Sequence, residues 1–231
     1  MKTALIGCGQ MASIHIPYIL KTKGIQLVAL CDQNDFRARE LARQHNVPHY
    51  TDLVRMLAKT HPDVVHIITP PQTHAALAVQ ALEAGCHVLV EKPLCLTIEE
   101  ADTIYAAAQS ARRLVSVDHN HLWSPMVQRA RRMVASGQLG RVVHVQYVVG
   151  DDYLEVVKRG QARWAMDIRG GVFCDLIPHP LYLIMAFLPD AWVVSARACG
   201  TNIHDLRELW VDFADDDAGA SLWMSLNQRP L

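Results

Sequence analysis

The first twelve residues constrain the fold more than any other stretch of the chain. Residues 2–6 (KTALI) are short and mostly apolar, as expected of a strand that is buried on both faces of a parallel sheet. Gly7 to Ala12 (GCGQMA) fit the pattern G-x-G-x-x-A, in which a glycine turn joins a strand to a helix. Gly7 allows the tight turn, and Gly9 lets a ligand approach the backbone. The pattern predicts a dinucleotide site, with the pyrophosphate on the N–H groups that open the helix.

A carboxylate at a suitable distance supports this prediction. Asp32 follows a second apolar segment, residues 25–30 (IQLVAL), and lies 23 residues after Gly9. A carboxylate about 20 residues after the glycine motif binds the ribose hydroxyls of NAD. No arginine or lysine occurs at residues 33–35, so a 2′-phosphate would be repelled. The sequence therefore favours NAD over NADP, and Arg37 is the residue that could reverse this preference.

Strand-like and helix-like segments alternate up to about residue 117, which predicts a doubly wound parallel sheet of the Rossmann type. Pro17 is expected to kink or shorten the first helix, and Thr97 with Glu100 forms a capping box for a later one. The alternating apolar pattern after residue 120 predicts a second, α+β domain with a mostly antiparallel sheet. We therefore predict a dinucleotide-binding domain over residues 1–120 and a substrate and oligomerisation domain over residues 121–231.

Composition excludes several classes of function. A net charge of -1 gives no basic surface for nucleic acid or for a membrane, and no apolar run approaches the length of a membrane span. The first strand is predicted at the start of the sequence, so we expect no signal peptide. The six cysteines form no C-x-x-C pair, which favours reduced thiols and a cytoplasmic protein over a disulfide framework or a zinc site.

Three groups of residues are candidates for chemistry. Lys92 follows a buried strand, where partial desolvation would suit it to proton transfer, although most lysines of this kind are surface residues. Asp175 and His179 are four residues apart, which predicts that both lie on one face of a helix. The carboxylate would then orient the imidazole, the usual proton carrier near neutral pH. The alternative is that Asp175 caps the helix and His179 packs in its first turn. His119 and His121 form an H-x-H pair, but without a third ligand we predict no metal site.

Four collinear motifs resemble those of the Gfo/Idh/MocA oxidoreductases, over nearly the whole chain. They are residues 7–11 (GCGQM), residues 69–71 (TPP) with His74, residues 84–94 (AGCHVLVEKPL), and residues 170–179 (GGVFCDLIPH). The segment 84–94 is the most specific of them.

The resemblance implies an NAD-dependent oxidoreductase that acts on sugars, inositols or related polyols. It implies that Lys92 lies close to the nicotinamide and the reacting hydroxyl. In the family, the peptide bond between this lysine and the following proline is often cis. His179 would take the hydroxyl proton as a hydride leaves for the nicotinamide, and Asp175 would orient and charge the imidazole. Together with the motif spacing, it assigns to the cofactor Gly7, Gly9, Gln10, Met11, Asp32, Arg37, Thr69, Pro70, His74, Glu91 and Lys92.

The chain also departs from the family pattern. Residues 118–123 (DHNHLW) stand where the family commonly has a glycine and then an arginine and a phenylalanine, and Tyr182 stands near a common acidic position. Relative to the family, the second domain is expected to be incomplete after Leu231, which weakens the expectation of a homo-oligomer through the C-terminal sheet. Two alternative functions remain: glycoside cleavage by transient oxidation with bound NAD, and a non-catalytic dinucleotide-binding regulator or inactive fragment.

Overall fold

The computed structural model describes residues 1–150, 171–200 and 208–226. The chain divides into two compact units, Met1–Asp118 and His119–Leu231. Within the residues that the structure describes, no helix has both the length and the apolar character that crossing a bilayer requires.

The first unit is built on a six-stranded parallel sheet. Its strands run in the order β3-β2-β1-β4-β5-β6, and all five strand pairs are parallel. This confirms the predicted Rossmann sheet. The strands are β1 (Lys2–Ile6), β2 (Gln26–Cys31), β3 (His49–Tyr50), β4 (Val64–Ile67), β5 (His87–Val90) and β6 (Val115–Val117).

Five helices connect these strands: α1 (Ala12–Lys21), α2 (Asp35–His45), α3 (Leu53–Thr60), α4 (His74–Glu83) and α5 (Ile98–Ala111). Thr97 and Glu100 form the predicted capping box at the start of α5. The expected shortening of α1 at Pro17 is wrong, because α1 continues through it to Lys21, and the expected kink stays a prediction. The proline removes the helical hydrogen bond to the carbonyl of Ser13. Since Ser13 and Pro17 are both exposed, water can satisfy that carbonyl.

Apolar side chains fill both faces of the first sheet, as the continuous apolar strands require. On one face, Ala4, Ile67 and Val90 pack with Leu82 of α4 and Ile104 of α5. On the other face, residues of β1 and β2 pack against the buried side of α1. This packing fixes the carboxyl ends of the strands, where the predicted cofactor residues lie.

The second unit contains a four-stranded sheet and three described helices. The helices are α6 (Pro125–Ala135), α7 (Gly171–Leu176) and α8 (Pro178–Met185), and the strands are β7 (His144–Gly150), β8 (Trp192–Cys199), β9 (Glu208–Asp215) and β10 (Ala218–Ser225). The order is β7-β10-β9-β8. The β10–β9 and β9–β8 pairs are antiparallel as predicted, but β7 pairs with β10 in parallel. The sheet is therefore mixed. No hairpin joins β7 to β10, because α7, α8, β8 and β9 all lie between them in the chain.

Apolar and polar residues alternate along β9 and β10, which gives the sheet one apolar face that packs on α7 and α8. Leu222 and Met224 are 1% exposed and lie in a cluster with Phe173 and Ile184. The edge strand β8 differs, since all of its residues are exposed. The described part of this unit thus has a single core between helices and sheet.

Candidate functional site

The strand order of the first unit defines a crevice between β1 and β4. The order reverses between these two strands, and open α/β sheets bind ligands outside the carboxyl ends of the strands at such a point. The glycine turn after β1 meets the segment after β4 there, because a Cβ on Gly7 would lie 3.0 Å from the backbone C and O of Ile68. The predicted cofactor residues of this unit follow β1, β2, β4 and β5, which are neighbours in the sheet.

The turn from Gly7 to Met11 has the form that a pyrophosphate requires. Gly7 has a φ of 104°, which side-chain-bearing residues rarely adopt, and its N–H donates to the carbonyl of Cys31 at 2.8 Å. At Gly9 a Cβ would meet no atom within 4 Å, so the backbone is open to a ligand. Met11 occupies the N-cap position of α1 and makes no side-chain capping bond. The N–H groups of Ala12 and Ser13 donate to the carbonyls of Gly9 and Gln10 at 3.1 and 3.2 Å, so the glycine turn before the helix is where a diphosphate would approach the backbone. The residues present therefore fit the diphosphate of a dinucleotide.

Asp32 lies directly beside this turn. Its Oδ2 accepts a hydrogen bond from the N–H of Cys8 at 2.7 Å, and its Oδ1 accepts from the N–H of Asn34 at 2.8 Å. Burial and the Asp32 charge raise the pKa of the Cys8 thiol to about 12, so the thiol stays protonated. Arg37 lies in the exposed first turn of α2, and its N–H donates to the Asn34 cap at 3.1 Å. A carboxylate with two backbone donors still has acceptor sites for ribose hydroxyls.

His74 connects the loops that follow β4 and β5. Its ring is 1% exposed, with Nε2 2.7 Å from the carbonyl of Thr69 and Nδ1 2.8 Å from the carbonyl of Pro93. Burial lowers the pKa of His74, while the two carbonyl acceptors oppose that lowering. The Thr73 hydroxyl braces the same loop through Thr69 Oγ1 and the Pro70 carbonyl, at 2.7 and 2.8 Å. The side chain of His74 thus positions two loops, and a direct contact with the cofactor stays a prediction.

The segment after β5 presents Glu91 and Lys92 at the same edge of the sheet. The Lys92–Pro93 peptide is cis, as the resemblance implies. Glu91 is 8% exposed, and its Oε2 accepts from the N–H of Lys92 at 3.1 Å. Although burial favours the protonated form, the hydrogen bond from His15 and the charges of His15 and Lys92 leave the pKa of Glu91 below its usual range. Glu91 is therefore ionised at neutral pH.

Three further polar residues form a cluster with Glu91 through His15, and sequence reasoning missed them. His15 Nε2 lies 3.0 Å from Glu91 Oε1 and 3.5 Å from Asp118 Oδ2, and His15 Nδ1 lies 3.2 Å from His66 Nδ1. Burial and the neighbouring His15 lower the pKa of His66 to about 4, so His66 is neutral. Burial and the Glu91 charge raise the pKa of Asp118. No motif joins these residues, so only their convergence in the fold could reveal the cluster.

In the second unit, Asp175 and His179 lie in successive helices rather than on one. Asp175 is 4% exposed in α7, and His179 lies in the first turn of α8. Pro178 explains the break, since it has no N–H to continue the hydrogen bonding of α7. Their placement on one helical face was therefore wrong, and their catalytic roles stay predictions. Gly170 of the same motif lies outside the described residues.

Tyr182 organises the polar groups around His179. Its hydroxyl lies 2.7 Å from His179 Nδ1, donates to Asn120 Oδ1 at 3.3 Å and accepts from the N–H of His121 at 3.3 Å. The ring of His121 stacks on His179 with centroids 4.4 Å apart, and His119 stacks on Tyr182 at 4.3 Å. The H-x-H pair therefore packs around the predicted catalytic histidine. The sequence marked Tyr182 only as a departure from the family pattern.

Family models match both units of the chain. The model for the Gfo/Idh/MocA oxidoreductase family, NAD-binding Rossmann fold, matches residues 1–119. The model for the Gfo/Idh/MocA C-terminal domain matches residues 127–228.

Curated relatives are similar over much of the chain. A 1-carboxy-3-chloro-3,4-dihydroxycyclohexa-1,5-diene dehydrogenase from Comamonas testosteroni is 33% identical over 186 residues, which is 80% of this chain and 46% of the relative. The D-glucoside 3-dehydrogenase of Escherichia coli is 34% identical over 144 residues, 62% of this chain and 41% of the relative. The chain thus spans about half the length of these curated relatives.

A solved structure supports the fold. The WlbA dehydrogenase from Bordetella pertussis, in complex with NADH and UDP-GlcNAcA, superposes with a TM-score of 0.89 at 22% identity. The match covers 99% of this chain and 72% of that one.

Proposed function

Because the chain belongs to the Gfo/Idh/MocA oxidoreductase family, we propose that it transfers a hydride between NAD and a sugar- or polyol-like alcohol or ketone. The first unit is the NAD-binding Rossmann domain, and the second is proposed to supply the substrate groups. The observation that supports the proposal most strongly is the Asp32 carboxylate, which is held against the open glycine turn at 2.7 Å. That arrangement suits the ribose and diphosphate of NAD, and no arginine or lysine occurs at residues 33–35 to favour a 2′-phosphate.

The proposed division of labour follows from the chemistry of the side chains. When bound, NAD supplies the acceptor or donor of a hydride at C4 of its nicotinamide ring. The ammonium group of Lys92 is proposed to hydrogen-bond the reacting oxygen and to stabilise the negative charge that develops there. His179 takes the hydroxyl proton in the oxidation direction and returns it in the reduction direction. Asp175 is proposed to orient and charge the imidazole.

A panel assay tests this proposal. The protein is incubated with NAD and a set of sugars, inositols and other polyols, and the absorbance of reduced nicotinamide is followed. We expect reduction with at least one member and none with Lys92→Ala. Turnover of a glycoside without net NADH would support transient oxidation instead. Tight NAD binding with no turnover of any substrate would support the regulator.

Replacing Asp32 by asparagine is expected to weaken NAD binding by about 10- to 100-fold, the value of one or two charge-assisted hydrogen bonds. Calorimetric titration with NAD and with NADP measures the change. The ratio of NAD affinity to NADP affinity should fall. Asp52→Asn is the matched control, because Asp52 accepts from the Arg55 N–H at 2.7 Å as the N-cap of α3. If Asp32→Asn bound NAD as tightly as the wild type, a ribose contact for Asp32 would be ruled out.

Replacing Tyr182 by phenylalanine is expected to lower kcat by up to about 100-fold, because the imidazole of His179 loses the hydroxyl that orients it. KM for NAD should change little, since Tyr182 is proposed to act on proton transfer. Tyr105→Phe, on the exposed side of α5, is the control. Equal kcat in both variants would show that the Tyr182 hydroxyl does not orient His179 and that the side chain serves only for packing.

A further inference from the structure

Three side chains of the first unit bring one nitrogen and two oxygen atoms to a common point. His15 is on α1, Glu91 follows β5 and Asp118 follows β6. His15 Nε2 lies 3.0 Å from Glu91 Oε1 and 3.5 Å from Asp118 Oδ2, and all three atoms lie within 4.8 Å of one another. We propose that these residues bind a first-row divalent transition-metal ion, with Zn²⁺ as its probe.

The two separations from His15 Nε2 match those of atoms that share one ion. Ligand atoms about 2.1 Å from Zn²⁺ lie about 3.0 Å apart at a right angle and about 3.4 Å apart at the tetrahedral angle. The two contacts of His15 Nε2 fall at these values. A hydrogen bond explains only the shorter of them, because 3.5 Å exceeds the usual range for N–H···O.

The chemistry of the three groups also requires a cation between them. His15 Nε2 faces carboxylate oxygens of both Glu91 and Asp118, so a bare lone pair there would be repelled. Either a proton or a metal ion must stand between the nitrogen and the carboxylates. A proton on Nε2 can be shared with one oxygen at a time, whereas a divalent ion binds both carboxylates and the imidazole together.

His66 provides the outer contact that a metal-binding histidine usually has. The Nδ1 atoms of His15 and His66 lie 3.2 Å apart, and the two rings meet edge to face at 84°. With Nδ1–H of His15 directed to His66, Nε2 presents its lone pair to the ion. The side chains of His15 and Glu91 are only 6% and 11% exposed, but Asp118 is 24% exposed. An ion can therefore reach the site from the Asp118 side.

Zinc titration of the purified protein tests the site without any reference to hydride transfer. Calorimetry should detect one Zn²⁺ per chain in the wild type. Asp118→Asn should weaken binding at least about tenfold and His15→Gln by more than about 100-fold. His49→Gln is the matched control, because it removes a half-buried histidine 3.5 Å from the Asp35 carboxylate. That variant should bind Zn²⁺ as the wild type does.

Two results would overturn the proposal: no Zn²⁺ binding by the wild type, or equal affinity in all four proteins. Either would mean that a proton joins His15 to its carboxylates. Circular dichroism confirms that each variant is folded, and Asp118→Asn decides the matter alone if His15→Gln does not fold. Because all six cysteines are free thiols, the Co²⁺ spectrum is the second readout. A thiolate charge-transfer band would assign the ion to cysteine and also overturn the site, whereas its absence supports nitrogen and oxygen ligands.

Discussion

Replacing Gly7 by alanine is expected to destabilise the first unit by about 2–4 kcal/mol, within the range of strongly destabilising substitutions. Two effects add together. The φ of 104° strains any residue with a Cβ, and the new methyl group would lie 3.0 Å from the backbone of Ile68 and 3.1 Å from Thr69 Cγ2. The contacted atoms of Ile68 belong to the backbone directly after β4. They cannot move aside without disturbing the sheet. Chemical denaturation measures the loss of stability.

Gly9→Ala is the matched control for that experiment. A Cβ on Gly9 meets no protein atom within 4 Å, so the substitution introduces no clash in the folded protein. The free energy of unfolding should change only by the small amount, under about 1 kcal/mol, that comes from the lower entropy of the unfolded chain. Its effect should appear in NAD binding instead, because the methyl group occupies the space that the pyrophosphate approaches. If Gly7→Ala were as stable as Gly9→Ala, the tight turn at Gly7 would not be required.

Replacing Lys92 by methionine is expected to lower kcat by about 10²- to 10⁴-fold, the usual contribution of a group that assists proton transfer or stabilises charge. Methionine keeps most of the length of the side chain and removes its charge. The backbone features of this segment, the cis Lys92–Pro93 peptide and the His74 contact to the Pro93 carbonyl, do not depend on the lysine head group. The fall should therefore be in kcat, with a much smaller change in NAD affinity.

Lys59→Met is the control for this loss. Lys59 lies exposed in the last turn of α3, away from the carboxyl ends of the strands. Both variants are assayed for kcat on whichever substrate the panel identifies, and NAD affinity is measured by titration. An unchanged kcat in Lys92→Met would remove Lys92 from the proposed chemistry.

Much of the fold follows from local sequence rules. The apolar segments that become β1, β2 and β4 are continuous because helices cover both faces, and the capping box at Thr97 marks the start of α5 without any tertiary information. The parallel pairing of β7 with β10 could not be predicted in this way. Alternation shows that a strand has one buried face, but the direction of its partner depends on connections that no local pattern encodes.

Some residues of the candidate site could likewise be predicted from the sequence, and others could not. Gly7, Gly9 and Asp32 are linked by a spacing that a βαβ unit imposes, so sequence alone identifies them. His15, His66 and Asp118 come from three separate parts of the chain and no motif joins them, yet His15 contacts His66, Asp118 and Glu91. Tyr182 is similar, because its hydroxyl contacts His179, Asn120 and His121 at once, and no sequence motif predicts these contacts. Such convergence is a property of the packed fold rather than of spacing.

Transfer of isotope is the most direct test of the proposed hydride chemistry. The protein is incubated with NADH deuterated at nicotinamide C4, in both stereochemical forms, together with a pool of keto-sugars and keto-cyclitols, and the products are examined by mass spectrometry. We predict that one member gains a single deuterium at the former carbonyl carbon with one of the two forms. Lys92→Met should slow this transfer by about 10²- to 10⁴-fold while the protein still binds NADH. Retention of all deuterium on the dinucleotide by the wild-type protein, with NADH bound, would contradict the account.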